Sequence, residues 1–145
     1  APHMISHPEQ ILETCIYVDD LDEAEKFYRD VLGLELISKT DGRHIFFRMG
    51  RSVFLIFNPK VTNDPNTQHD VPTHGAVGQC HTAFAVKDNE IDEWRDHLGE
   101  NGVAIEKEIP VNSGGISLYF RDPAGNGIEL GTPAIWGIKE KTVFE

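Results

Sequence analysis

The chain repeats its own order of elements, and this internal repeat constrains its fold more than any other feature. Four segments of the first half match four of the second half in the same order: 13–18 with 81–86, 28–33 with 94–99, 46–48 with 119–121, and the strands around Phe54 and Glu129. The offsets are 68, 66, 73 and 75 residues, a drift that loop insertions produce. The repeat predicts one domain built from two similar units rather than two independent small domains.

Each half is predicted to contain a strand, a helix and three further strands. In the first half these are strand 11–18, helix 21–32 and strands 35–38, 44–49 and 53–58. Asp19 or Asp20 is the expected N-cap of the helix, and Gly33 follows its end. In the second half they are strand 79–86, helix 89–100 and strands 103–106, 117–121 and 127–130. The predicted domain is 11–131, with module one at 11–58 and module two at 79–131.

The segment 59–78 between the modules is rich in proline, asparagine and glycine and shows no periodicity. A loop of this length either covers a functional site or simply links the two modules. Residues 1–10 form an N-terminal segment in which 1–3, ahead of Met4, resemble a cloning remnant, and 132–145 form a C-terminal tail.

The charge of the chain narrows the classes of partner. There are 24 acidic and 13 basic residues, for a net charge of −11, which argues against nucleic-acid binding.

No run approaches the roughly 18 apolar residues of a membrane span, and no signal peptide is visible. Cys15 and Cys80 are too few for a disulfide framework, so we expect a cytoplasmic protein with inert, buried thiols.

Strand alternation brings three metal-ligating side chains to equivalent faces. In the first strand of each module the apolar residues that suit the helix alternate with Glu13 and with His81, and in the last strand Glu129 falls on the same side as His81. Taken singly, each is explained by a satisfied core histidine or a solvated glutamate. Together they favour a divalent cation such as zinc, nickel, manganese, iron or cobalt.

Several other residues are candidates for substrate contact or proton transfer. Tyr119 on the inner face either donates a proton to a bound oxygen or is a core tyrosine. Arg48 either holds a substrate carboxylate or faces water. On the long loop, His74 is a candidate base that reaches over the cleft, and His69 lies nearby. The predicted substrate contacts are Arg48, Phe46, Phe54, His74 and Trp136.

Four segments together resemble the vicinal oxygen chelate superfamily, which includes glyoxalase I, fosfomycin-resistance enzymes and extradiol dioxygenases. They are 17–21, 27–34, 78–86 and 120–130. The resemblance implies an α+β fold of two tandem βαβββ modules, the glyoxalase/bleomycin resistance/dihydroxybiphenyl dioxygenase fold, whose sheets curl around a metal cleft. It also implies one divalent metal ion per cleft and a homodimer with two clefts.

The resemblance also implies which residues bind the metal. Its first-strand ligands correspond to Glu13 and His81, and its fourth-strand ligand in module two corresponds to Glu129. Glu13 or Glu129 would then serve as catalytic base. In module one glyoxalase I carries a glutamate ligand on the fourth strand, but the repeat places that position at Phe54, which cannot bind a metal. The departure argues against glyoxalase I-like isomerisation, and the expected site has three protein ligands and open positions.

These features predict a metal-dependent, glyoxalase-like enzyme that chelates a small oxygenated substrate through two oxygens, with lyase or isomerase chemistry. A degenerate relative with only a structural role stays open, and so do two functional alternatives. One is a metal-free drug-binding protein of the bleomycin-resistance kind, which retention of the three ligands disfavours. The other is an extradiol-type dioxygenase or a fosfomycin-type thiol transferase.

Overall fold

The structure is a computed structural model that describes residues 5–67 and 70–145. Segment 1–3 and His69, both considered above, lie outside these ranges. In the described part, no helix is both long and apolar enough to cross a membrane.

The described chain forms two βαβββ modules, which confirms the α+β fold predicted from the repeat. Module one contains β1 (Glu13–Tyr17), α1 (Leu21–Asp30), β2 (Glu35–Thr40), β3 (His44–Met49) and β4 (Ser52–Phe57). A short helix α2 (Pro59–Thr62) follows it. Module two contains β5 (His81–Ala85), a 3₁₀ turn (Asp88–Glu90), α3 (Ile91–Glu100), β6 (Lys107–Pro110), β7 (Ile116–Arg121) and β8 (Gly127–Gly131). The tail carries a 3₁₀ turn (Pro133–Trp136) and α4 (Glu140–Phe144).

The two sheets have the same topology. Their strand orders are β1-β4-β3-β2 and β5-β8-β7-β6. In each sheet the first and fourth strands of the module pair in parallel, and the other pairs are antiparallel. The first strand of each module therefore lies directly beside the last one.

One predicted strand is displaced. The strand expected at 103–106 is instead β6, Lys107–Pro110, which pairs with β7 from Lys107 opposite Tyr119. Val103 and Ile105 pack against the core from an irregular segment, so their alternation reflects burial without ladder pairing. The segment 59–78 also contains α2, which begins at Pro59 after an Asn58 cap.

Helix α1 begins as its sequence predicts. The Asp20 carboxylate accepts a hydrogen bond from the Glu23 backbone N–H at 3.0 Å, and Asp20 is the N-cap. The buried face consists of Leu21, Ala24, Phe27 and Tyr28. These spacings of three, three and one place the side chains on one stripe of the helix, which covers the sheet of module one.

Both modules share one hydrophobic core. The cluster includes Ile16 and Ile56 from the first sheet and Leu118 and Ile128 from the second. Across the module boundary, the rings of Phe27 and Phe120 have centroids 6.3 Å apart. Because each sheet turns its apolar face into this common core, each turns its opposite face away from it. We call these two outward surfaces the open faces.

A buried polar network holds the β7–β8 turn against module one. The Tyr28 hydroxyl donates to Asp122 Oδ2 at 2.7 Å, and the Asn126 side-chain amide donates to the same oxygen at 3.0 Å. Asn126 Oδ1 accepts the backbone N–H of Cys80 at 2.8 Å. Burial, followed by the adjacent Asp122 carboxylate, raises the pKa of Tyr28 well above its usual range. The network thus joins α1, β5 and the β7–β8 turn.

Replacing Tyr28 by phenylalanine is expected to lower the free energy of unfolding by about 1–3 kcal/mol, because Asp122 loses a donor in a buried site. Urea unfolding of the variant and parent measures this change. Tyr17→Phe is the control, since its hydroxyl is only part-buried and its loss should cost less. Equal costs for the two variants would contradict the role given to the network.

Tyr28→Phe should also change how the free energy of unfolding depends on pH in the alkaline range. An unfolded tyrosine ionises near pH 10, whereas folded Tyr28 stays protonated, so the parent loses stability as the pH rises above about 10. Below pH 10 this contribution is fully present. Tyr28→Phe is therefore expected to lose stability less steeply between about pH 10 and 11.

Candidate metal centre

The open face of module two carries a row of polar side chains. Strand register places Glu129 of β8 beside Ala83 of β5 on one side and beside Tyr119 of β7 on the other. Ser117 lies two residues before Tyr119 and so faces the same side. His81 begins β5 on this face. Ala83, two residues after His81 and opposite Glu129, is a small side chain between them on this face.

His81 and Glu129 approach each other through the atoms that bind metals. His81 Nε2 lies 3.5 Å from Glu129 Oε1. Two ligands bound to one tetrahedral zinc at their usual distances are about 3.4 Å apart. The separation therefore fits a shared cation.

Each of these side chains is oriented by a second partner. His81 Nδ1 lies 3.0 Å from the carbonyl oxygen of Gly127, which can only accept, so Nδ1 carries the proton and Nε2 presents its lone pair. Ser117 donates its hydroxyl to Glu129 Oε2 at 2.7 Å and leaves Oε1 directed at His81. Partners of this kind fix the orientation of metal ligands.

The Glu129 carboxylate is buried with little to balance its charge. The residue is 6% exposed, and within the described ranges its single basic neighbour within 4.0 Å is His81. A buried carboxylate is costly unless it is paired or binds a cation. The donor set and its burial thus fit a divalent cation.

Glu13 lies on the other sheet. It begins β1, is exposed, and shares the open face of module one with Cys15 and Tyr17. Its ladder partner in β4 is Val53, which pairs in turn with Arg48 of β3. Among the described residues, no three histidine, cysteine, aspartate or glutamate side chains are close enough to hold one ion. Within one chain the structure therefore brings together His81 and Glu129 but not Glu13.

The fourth-strand position of module one is Leu55, and the prediction of Phe54 is wrong. Glu129 pairs with Ala83, two residues after His81; in module one Leu55 pairs with Cys15, two residues after Glu13. Phe54 faces the core instead, is 1% exposed and packs on Phe84 with ring centroids 5.0 Å apart. Phe54 is therefore a core residue and not a substrate contact. Leu55 also lacks a metal-binding atom.

The remaining predicted residues lie at several places. Arg48 is exposed and Phe46 half-buried on the open face of module one. His74 lies over that face: its Nδ1 is 2.7 Å from the Tyr17 hydroxyl. Tyr119 is half-buried beside Glu129 in the second sheet. Trp136 is 81% exposed on the tail.

Sequence reasoning missed three residues of these faces. Ser117 could have been found from its spacing of two before Tyr119 on the same strand. Alternation puts Tyr17 on the same face as Glu13, but no sequence pattern indicates its contact with His74; burial raises the pKa of Tyr17 to about 12. Arg43 follows the turn residues Asp41 and Gly42, and no sequence pattern indicates that only 9% of it is exposed.

The chain is similar to known proteins in family pattern, in sequence and in structure. The family model described as the Glyoxalase/Bleomycin resistance protein/Dioxygenase superfamily matches residues 10–130. Among solved structures, one described as a lactoylglutathione lyase from Agrobacterium tumefaciens is 42% identical with a TM-score of 0.88, covering 92% of this chain and 100% of that one.

Two curated relatives carry different activities in their names. The metallothiol transferase FosB of Staphylococcus saprophyticus is 28% identical over 117 residues, which span 79% of this chain and 71% of the relative. The catechol-2,3-dioxygenase of Bacillus subtilis is 30% identical over 116 residues, or 78% of this chain and 38% of the relative.

Proposed function

The chain belongs to the glyoxalase/bleomycin resistance protein/dioxygenase superfamily, and on that premise we propose that it is a metal-dependent enzyme acting on a small oxygenated molecule. The observation that carries the proposal is the His81–Glu129 pair, with 3.5 Å between Nε2 and Oε1. Both side chains are held by separate partners, and the carboxylate is buried. A drug-binding protein without metal would not need this arrangement.

We infer that the third ligand, Glu13, comes from a second copy of the chain. The open faces of the two modules both point away from the shared core, and Glu13 lies on one while His81 and Glu129 lie on the other. A two-fold dimer that lays module one of each chain on module two of the other would assemble two complete sites. Exposed apolar residues near the open face of module one, Leu12 and Ile37, support a covered surface there.

Each residue of the proposed site has a separate chemical role. A divalent cation, when bound, supplies Lewis-acid polarisation of substrate oxygens. Gly127 and Ser117 hold the two ligands of module two in their binding orientations. Glu13 or Glu129, once released from the cation, would take a proton from the substrate, and the Tyr119 hydroxyl beside Glu129 would donate one.

Lyase or isomerase chemistry is the first candidate reaction, because the solved structure that is 42% identical is described as a lactoylglutathione lyase. Leu55 in place of a fourth ligand distinguishes this site from the pattern expected of glyoxalase I. Thiol transfer is the second candidate, because the relatives named FosB align over most of the chain. A panel of hemithioacetal and thiol-plus-epoxide substrates with each metal separates the two.

The metal is tested by comparing the parent with His81→Ala. Parent protein purified without chelator should contain close to one divalent ion per chain and gain thermal stability on addition of Zn²⁺, Ni²⁺, Mn²⁺ or Fe²⁺. His81→Ala should lose both properties, whereas the control His7→Ala, at an exposed position outside the sheets, should keep them. A parent that holds less than about a tenth of an equivalent and is not stabilised by any of these ions would refute the proposal.

A further inference from the structure

The open face of module one forms a cavity that the metal site does not account for. The cavity has a volume of about 830 Å³ and lies between the sheet and loop residues 71–74. Glu13 lines it at one end and Arg43 at the other. Its walls between these ends are Phe46, Leu55 and Phe57.

The walls of this cavity are aromatic and tightly arranged. The Phe46 ring stacks on His44 with centroids 4.0 Å apart and planes 10° from parallel. Phe57 meets Phe46 edge-on at 5.6 Å, and His74 from the loop meets Phe57 edge-on at 4.6 Å. Such a wall favours a flat, unsaturated body that can stack on ring faces.

Arg43 is a buried cation with no counterion in the described chain. The residue is 9% exposed, and its Nη1 donates to His44 Nδ1 at 2.6 Å. Its guanidinium lies 5.6 Å from the centre of the Phe57 ring. Its Nε is buried and lacks a hydrogen-bond partner, and no described carboxylate lies within 4.0 Å of it. Because arginine remains protonated at every physiological pH, its charge must be balanced from elsewhere.

A water molecule cannot supply this balance. Behind Arg43, a second cavity of about 10 Å³ is bordered by Thr62, Asp64 and Thr67. That volume is close to the minimum for one water, which could satisfy Nε but carries no charge. Asp64 itself accepts the Asn66 backbone N–H at 2.9 Å. Asp64 forms no ion pair with Arg43 within 4.0 Å, and Arg43 also lines the larger cavity, so an anion bound there would contact its guanidinium directly.

We propose that this cavity binds an organic anion, with a flat apolar body against Phe46 and Phe57 and a carboxylate against the Arg43 guanidinium. Arginine suits a planar two-oxygen group because its nitrogens form a matching fork. Arg43 directly precedes His44, which lies across the sheet from Tyr17 with Phe57 between them. Glu13 is four residues before Tyr17 on β1, or about 13 Å along the strand. If Glu13 binds the proposed metal, the anion and the metal-bound oxygens are the two ends of one substrate, and this link alone rests on the proposed function.

The binding itself is tested without metal. Cinnamate and its neutral isostere cinnamamide are titrated into EDTA-treated protein by calorimetry, with 2-phenylethylphosphonate as a third arm for the anion type. The parent should bind cinnamate at least about tenfold more tightly than cinnamamide, as expected for a charge-assisted hydrogen bond. Arg43→Gln should reduce this ratio to near one, while Arg29→Gln, an exposed helix position with the same loss of charge, should not change it.

Several outcomes would overturn the proposal. The proposal fails if the parent binds neither compound, or if its affinity ratio of cinnamate to cinnamamide is near one. It also fails if Arg43→Gln keeps that affinity ratio, or if Arg48→Gln loses it instead. A phosphonate bound more tightly than the carboxylate would assign the site to that anion and overturn the carboxylate. If Arg43→Gln does not fold, the NMR signal of the Arg43 Nε–H must shift with cinnamate and not with cinnamamide. His81→Ala should retain the acid preference, which separates this inference from the metal.

Discussion

A heterodimer of a Glu13→Ala chain and a His81→Ala chain is expected to bind about one divalent ion, whereas either homodimer binds none. If each site combines Glu13 of one chain with His81 and Glu129 of the other, one site of this heterodimer contains both substitutions and the other contains neither. Co-expression with two different affinity tags isolates the heterodimer, and metal analysis after dialysis measures the result.

The matched control carries the same substitutions in the opposite arrangement. A chain with both Glu13→Ala and His81→Ala is paired with a parent chain. If the sites form between chains, both sites of this dimer are broken and it should bind no ion. If Glu13 met His81 within one chain, the control would keep one ion and the first heterodimer would have none. Size-exclusion chromatography that finds a monomer would contradict the arrangement outright.

Replacing Glu129 by leucine is expected to abolish metal binding and leave the metal-free protein at least as stable. Module one carries a leucine, Leu55, at the equivalent position, so the substitution gives both modules the same residue there. Metal affinity should fall at least a hundredfold, since even partners of ligands are worth about ten- to hundredfold. In EDTA the free energy of unfolding should be unchanged or rise by about 1 kcal/mol, because a poorly compensated buried carboxylate is removed.

Metal titration and urea unfolding in EDTA measure the two effects. Glu100→Leu is the control, because Glu100 is exposed at the end of α3 and should alter neither property. The interpretation of Glu129 as a metal ligand would be wrong if the variant kept its affinity. It would also be wrong if the metal-free variant lost more than about 2 kcal/mol, as a purely structural hydrogen-bonded residue would.

The fold was predictable because its determinants are local. The caps and apolar stripe of α1 are encoded within the segment around Asp20 and Tyr28, and strand alternation placed Ile16 in the core and Glu13 opposite it. The strand predicted at 103–106 is wrong: Val103 and Ile105 pack against the core but pair with no strand. An extended segment that buries every second side chain shows the same alternation of apolar and polar residues whether or not it pairs with a strand.

The candidate site was predictable only in part. The positions of His81 and Glu129 follow from alternation within β5 and β8, but the assignment of Phe54 was off by one residue. In a strand a shift of one residue transfers a side chain to the opposite face, so matching the modules by eye could not distinguish Phe54 from Leu55. Hydrogen bonding fixed that register.

By itself, the sequence determined that the chain is two similar βαβββ modules and which side chains share a strand face, since both follow from periodicities of a few residues. Only the tertiary structure decided how the two modules pack and which side chains far apart in the chain meet. The two apolar faces meet in one core, so the open faces point outward and Glu13 lies apart from His81 and Glu129. Packing also buried Arg43 without an ion pair to any described carboxylate. Both outcomes arise from contacts between residues far apart in the chain, where burial and charge are settled only when the modules pack.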